Sequence, residues 1–282
     1  MLYGEKEKIV KVRLAYVILG FIFLLALFPC FSFLKSASIP SGEALLPPSL
    51  THWFGTDDLG IDIFAEICYG AKNMLTVSCI SAFLAAITGS FLGMLAGYYG
   101  GVFDEIFLGI LNFFMSIPEL LLMVLLGSML GPSLRNIIFS IVLVAWVVPA
   151  KLVRSEILKQ KQARYIQISK LYGASFLHLL QWHFWKPVFS IFLITVIRLM
   201  NRAILMEASL SYLGLGDPLS KSWGMIITRA MDFPNIYLTD FWKWWLLFPI
   251  LFMVSMVLSV AVIGQNVEKT IGRRYRKEWK KY

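Results

Sequence analysis

Thr195, Arg198, Asn201 and Arg202 fall at i, i+3, i+6 and i+7 within an apolar run, so on a helix they share one polar face. An unpaired arginine at the centre of a bilayer costs roughly 2.5–3.5 kcal/mol on insertion scales. Two on one face must therefore look into protein or a wet cavity. Two roles stand open. The four residues line a pathway and attract a carboxylate-bearing molecule, or the arginines neutralise Glu119, Glu207 or an acidic residue of a partner.

A second constellation lies in the stretch "ARYIQISKLYGASFLHLLQWHFWKP", residues 163–187, where Arg164, Lys170, His178, His183 and Lys186 surround the lone Gly173. The spacing predicts a helix over 162–172, with Tyr165, Ile168 and Tyr172 on one stripe and Arg164, Gln167 and Lys170 on another. Gly173 is suited to end it in a left-handed conformation, and Ser175 to cap a second helix running on through Leu180. Such a glycine-hinged knob suits an interfacial helix on anionic lipid, or a docking element whose apolar face seats in a partner's groove. His52, Asp57, Asp58 and Asp62 match no compact metal-ligand spacing. They read as a solvated loop with Thr56 or Asp57 capping a helix that runs through Ala65. No catalytic, cofactor or metal residue is expected.

The elements that must position these residues are membrane spans. Of 282 residues 58% are hydrophobic and 15% charged, too apolar for an ordinary soluble domain. The net charge of +9 gathers in loops without interleaved stacking aromatics, which argues against nucleic acid. Cys30, Cys68 and Cys79 form no CxxC pair, and two lie in or beside apolar runs, as buried free thiols do. A crossing helix needs about 20 mostly apolar residues. Six stretches qualify: 12–33, 74–98, 107–126, 136–153, 188–206 and 244–264. The first follows Lys6, Lys8, Lys11 and Arg13 and precedes "SAS" at 36–38, but its apolar run is too long for a cleaved signal core.

Eighteen of the 26 Lys and Arg lie in the N-terminal tail, in 151–187 and in the C-terminal tail. By the positive-inside rule both termini are cytoplasmic, and so is the Gly173 knob. The expected organisation is a cytoplasmic tail 1–11, a transmembrane domain 12–268 and a basic cytoplasmic tail 269–282. Within the domain, external segments cover 35–73 and 207–243, and a cytoplasmic loop covers 154–187. Trp242, Trp244 and Trp245 are expected at the outer interface. Gly89, Gly93 and Gly97 form a strip along which another helix packs, within the chain or in a partner subunit. Pro118 is expected to bend the third span, leaving Glu119 in need of a partner.

The chain resembles the permease subunits of binding-protein-dependent ABC importers, in the group handling dipeptides, oligopeptides and nickel. Phe54-Gly55-Thr56-Asp57, Leu59-Gly60, Asp62 and Tyr69-Gly70-Ala71 carry the resemblance before span two, and "GYYGGVFDEI" at 97–106 and "IPELLL" at 117–122 continue it. So do "AWVVPAKLVRSEIL" at 145–158 and "EASLSYLGLGDPLSKSWG" at 207–224, the most specific block. Gly173-Ala174-Ser175 and His183 are in register with the group's coupling loop, so the resemblance assigns ATPase coupling to Gln167, Lys170, Tyr172, Gly173, Ala174 and Ser175. The chain departs from the group where Gln167, Ile168 and Ser169 replace Glu-Ala-Ala, where Lys186-Pro187 replaces Pro-Asn, and where Ile61 replaces an arginine.

The resemblance implies an all-α type I ABC-importer permease fold in the bacterial plasma (inner) membrane. It implies as partners a second permease, two ATPase subunits and an external binding protein. ATP and Mg would be used by the ATPases, since none of the 20 glycines here is followed by lysine and the phosphate-cradling loop is absent. The cargo would be peptides, nickel or metal-chelate complexes. A membrane-embedded enzyme or a stand-alone channel is the rival reading; the former wants a nucleophile–base pair or metal cluster, and the chain has three histidines.

Overall fold

The structure, a computed structural model, describes residues 2–30, 37–218 and 220–279, with side chains described over 9–30, 37–218 and 220–271. The expected end of the first span at 33, the "SAS" stretch before Ala37 and most of the basic tail's side chains lie outside the described residues. Among the described residues every regular element is helical, and a single isolated bridge joins Thr56 and Asp62 in the irregular segment before Ile63.

Helix α1 (Leu2–Leu27) is apolar along most of its length and leads into a short 3-10 turn. Helix α2 (Ile63–Tyr99) begins where Asp62 accepts hydrogen bonds from the Phe64 and Ala65 backbone N–H groups. The start at Ile63 rather than 74 is a correction: Glu66, Tyr69 and Lys72 dilute the apolar signal, yet Glu66 is buried. The cap is Asp62, not Thr56 or Asp57. With 37 residues, α2 is about 55 Å long, well beyond a bilayer's hydrocarbon core.

The third span is broken. Helices α3 (Gly101–Ser116) and α4 (Glu119–Leu130) meet at Ile117-Pro118 with an 88° change of direction. Proline has no N–H to continue the ladder and forces the residue before it into extended backbone; Ile117 sits at φ −90°, ψ 129°. Ser133 then caps α5 (Leu134–Ala145) by accepting from the Asn136 N–H, and the chain passes through Trp146 into α6 (Val147–Lys161). Two short helices follow, α7 (Arg164–Leu171) and α8 (Phe176–Leu179). A π turn over Leu180–Phe184 joins α8 to α9 (Trp185–Tyr212). The widened turn sits just before Pro187, whose missing N–H leaves a regular ladder unfinished there. Helices α10 (Trp223–Asp232), α11 (Trp242–Trp245) and α12 (Leu247–Trp279) complete the chain.

Five stretches are long and apolar enough to cross a membrane: Ile9–Cys30, Ile63–Tyr99, Leu134–Lys161, Phe176–Tyr212 and Trp242–Ile271. The bent α3–α4 pair makes the sixth, counted as one broken span.

Helix α2 is the hub, packed against α1, α5, α6 and α9. A Cβ on Gly89 would lie 2.2 Å from the Trp146 carbonyl oxygen, and one on Gly97 would lie 2.9 Å from Ile157 Cβ. The glycine strip thus packs within the chain, against α6. At one end, Trp223 and Trp245 are fully buried with Ile63, Ile67 and Met74. Trp244 and Trp245 serve this core rather than an interfacial belt, a second correction; Trp242 remains exposed. At the other end Met94, Val153, Ile157, Ile166, Leu179 and Phe184 pack together beneath α7 and α8. Of the cysteines only Cys68 is buried; Cys30 and Cys79 are exposed on the isolated chain.

Candidate functional site

The knob forms as a Schellman-type turn between two short helices. Helix α7 ends at Tyr172; the Ala174 N–H donates to the Ser169 carbonyl and the Gly173 N–H to that of Lys170, both at 3.0 Å. Gly173 sits at φ +82° with open space around its missing Cβ, so its backbone conformation, not packing, calls for glycine. Ser175 caps α8, its Oγ accepting from the His178 N–H.

Ile166 and Leu179 are buried and root the knob in the bundle, while Ile168, Leu171 and Tyr172 project outward, the last two more than 80% exposed. The Tyr165, Ile168, Tyr172 stripe therefore faces away from the bundle and is not its anchor. Tyr165 bends back so that its hydroxyl donates to Gln160 Oε1 at 2.6 Å, and burial raises its pKa. Lys170 turns inward too, its Nζ 4.9 Å from the centre of the Tyr98 ring. Gln167 reaches only the Gln162 carbonyl, at 3.5 Å. Ile168, Ser169, Tyr172, Gly173, Ala174 and Ser175, with His178, line an open concavity of about 480 Å³. Its lining mixes apolar Ile168 and Ala174 with polar Ser169, Ser175 and His178.

Polar contacts tie the base of this knob to the long helices. Arg154 of α6 grips Asp104 of α3 through two nitrogens, at 2.5 and 2.6 Å. Lys161 at the end of α6 donates to the Gly97 and Tyr98 carbonyls that α2 leaves unpaired at its last turn. These contacts join α6, which leads into α7, to the ends of α2 and α3.

The polar stripe of α9 is divided. Thr195 is buried and donates to the Phe192 carbonyl, so it lines no surface of this chain. Asn201 is partly buried, and its Oδ1 has no hydrogen-bond partner among the described residues. Arg198 donates to Glu268 of α12 at 2.6 Å, and Arg202 is paired with Glu119 at the start of α4. Both pairs stay open to one side, with the Arg198 and Arg202 side chains 54% and 44% exposed. Glu207 takes no part: it is buried and accepts from Ser211 Oγ at 2.8 Å.

Sequence reasoning missed Glu268 and the buried Glu66–Lys221 pair, 2.9 Å apart. A lone acid in the last span was the available signal for Glu268. None existed for Lys221, which reaches Glu66 across 155 positions of sequence. At the same end Trp223 Nε1 donates to the Ile67 carbonyl at 3.0 Å. Nearby, His52 Nδ1 lies 2.9 Å from Asp62 Oδ2, and Asp57 Oδ1 accepts from the Leu59 and Ile61 N–H groups. These acids order a loop and a helix start, and the loop is not the solvated one expected, since His52, Asp57 and Asp62 are buried.

Residues 89–277 match the family described as the binding-protein-dependent transport system inner membrane component. The chain is 33% identical to the oligopeptide transport system permease protein OppC of Bacillus subtilis (strain 168) over 279 residues, covering 98% of this chain and 89% of that protein. It is 34% identical over 224 residues to the probable D,D-dipeptide transport system permease protein DdpC of Escherichia coli (strain K12), covering 79% and 72%. Against the dipeptide transport system permease protein DppC of Bacillus subtilis (strain 168) the identity is 33% over 237 residues, covering 83% and 72%.

Proposed function

The chain belongs to the family of binding-protein-dependent transport system inner membrane components and is a multi-pass membrane protein, and from that premise we propose that it forms half of the transmembrane pathway of an ATP-driven peptide importer. A second permease completes the pathway, two ATPase subunits dock beneath, and an external binding protein delivers the cargo. The relatives named above are peptide permeases, which favours peptides over nickel or metal chelates.

The observation that carries this reading is the knob: a turn that projects Leu171 and Tyr172 away from the bundle, held between α6 and α9, with α6 latched to α2 and α3 through Lys161 and Arg154. On the proposed topology it faces the cytoplasm. It offers an ATPase an apolar plug and a stiff lever. Lys170, folded over Tyr98, stiffens that lever more than it contacts a partner.

The test is reconstitution of the chain with its proposed partners: a second permease, two ATPases and an external binding protein. ATP-dependent uptake of trialanine is expected, and Tyr172→Glu with Leu171→Glu should abolish uptake and release the ATPases on co-purification. Uphill uptake by the chain alone, or ATPase retention by the double variant, would overturn the reading.

A further inference from the structure

Arg198 and Arg202 stand one turn apart on α9, which spaces their Cβ atoms by about 6 Å. In each ion pair the recorded hydrogen bond uses only the Nη2 nitrogen. A guanidinium carries five N–H donors, so most of each fork has no acceptor among the described residues. Both forks are about half exposed on the same side of the helix, while the adjoining side buries Leu199, Ala203 and Leu210 in the bundle. Donors left open at this depth do not face lipid, because a charged group in hydrocarbon is too costly. Each arginine already has a carboxylate of this chain to neutralise it, so charge balance requires none from a partner.

We propose that Arg198 and Arg202 form a two-rung binding site for a cargo carboxylate, which binds the open side of each fork and competes there with Glu268 and Glu119. The proposal rests on the importer reading above. A fully satisfied site would be inert, and a bare arginine would hold an anion too tightly to release it. An arginine with a resident glutamate binds an incoming carboxylate weakly and lets it leave, as a pathway requires. Glu119 also opens α4 directly after the Pro118 break, where first-turn N–H groups without a side-chain cap add positive potential beside Arg202.

The test uses the complete reconstituted importer and compares uptake of trialanine, trialanine amide and amidated Ala-Glu-Ala. Arg202→Gln and Arg198→Gln should each lower the acid-to-amide uptake ratio about tenfold, the scale of one charge-assisted hydrogen bond. Glu119→Gln, which removes the competitor, should raise that ratio, and Arg202→Lys should keep part of it. These two variants decide the matter if the Gln variants fail to assemble. Arginine dependence with amidated Ala-Glu-Ala assigns the site to carboxylates in general; its absence assigns it to the peptide terminus. An unchanged ratio in every variant overturns the proposal. So does equal loss of all three peptides with loss of the second permease on purification, which assigns the arginines to a partner's acid. Wild-type uptake of none of them would sink the peptide reading itself, and this site with it.

Discussion

A Cβ built on Gly93 would lie 2.2 Å from the carbonyl oxygen of Ala150, closer than any real side chain tolerates. The contact sits midway along the α2–α6 crossing and fixes how near the two helices come. Gly93→Ala should therefore cost about 1–3 kcal/mol, the usual range for overpacking. Gly109→Ala, at a helical position with open space around it, should instead stabilise by about 0.5–1 kcal/mol, the helix-propensity difference. Thermal unfolding of the detergent-solubilised protein measures both.

Gly173 poses the opposite case, since nothing crowds it and only its φ of +82° excludes side chains. Alanine there should cost about 1–2 kcal/mol of local strain. Asparagine, which tolerates the left-handed region, should cost less, and valine more. Peptide taken up per ATP hydrolysed should fall in the order Gly, Asn, Ala, Val.

The Glu66–Lys221 pair holds the segment before α10 against α2 with side chains only 2% and 13% exposed. Lys221→Met strands a carboxylate in the core and should cost about 3–5 kcal/mol. Lys221→Met with Glu66→Leu should recover most of that loss, because the pair repays its own desolvation poorly. A double-mutant cycle by thermal denaturation gives the coupling directly.

Burial, helped by Asp58 beside it, raises the Asp57 pKa against the pull of the Ile61 and Leu59 N–H groups and of Arg229. A carboxyl whose folded pKa is raised stabilises the fold at low pH. That stability is lost as pH climbs from the ordinary aspartate value of 3.8 through the raised one. Asp57→Asn keeps an oxygen for both N–H donors and removes the charge. The melting temperature of the variant should gain on wild type as pH rises from about 4 to 7, where the aspartate is ionised and the asparagine is not.

The spans, the Gly173 turn and the Ser175 cap were legible because each depends on local chemistry: apolar length, a left-handed glycine, a hydroxyl one turn before an N–H. Helix α2 was read short because the partner that makes Glu66 buriable sits 155 positions away. The same holds for Glu268, which only the fold brings beside Arg198. The inward turn of Ile166 was hidden by periodicity that marked Tyr165, Ile168 and Tyr172 as the apolar stripe. Periodicity tells which residues share a stripe, not whether that stripe meets the bundle or a missing partner. For Arg202, the residue types offered Glu119, Glu207 or a partner's acid, and geometry pairs it with Glu119.

The corner at Ile117-Pro118 lies some 24 Å along α3, a length shorter than the hydrocarbon layer is thick. Breaking a helix there frees the last carbonyls of α3 and the first amides of α4, and bare peptide groups demand hydration or a foreign donor. If the corner lies inside the bilayer, this chain alone leaves a wet spot in an electrical insulator. A cell that keeps a proton gradient across the membrane has to see that spot sealed whenever no cargo is moving.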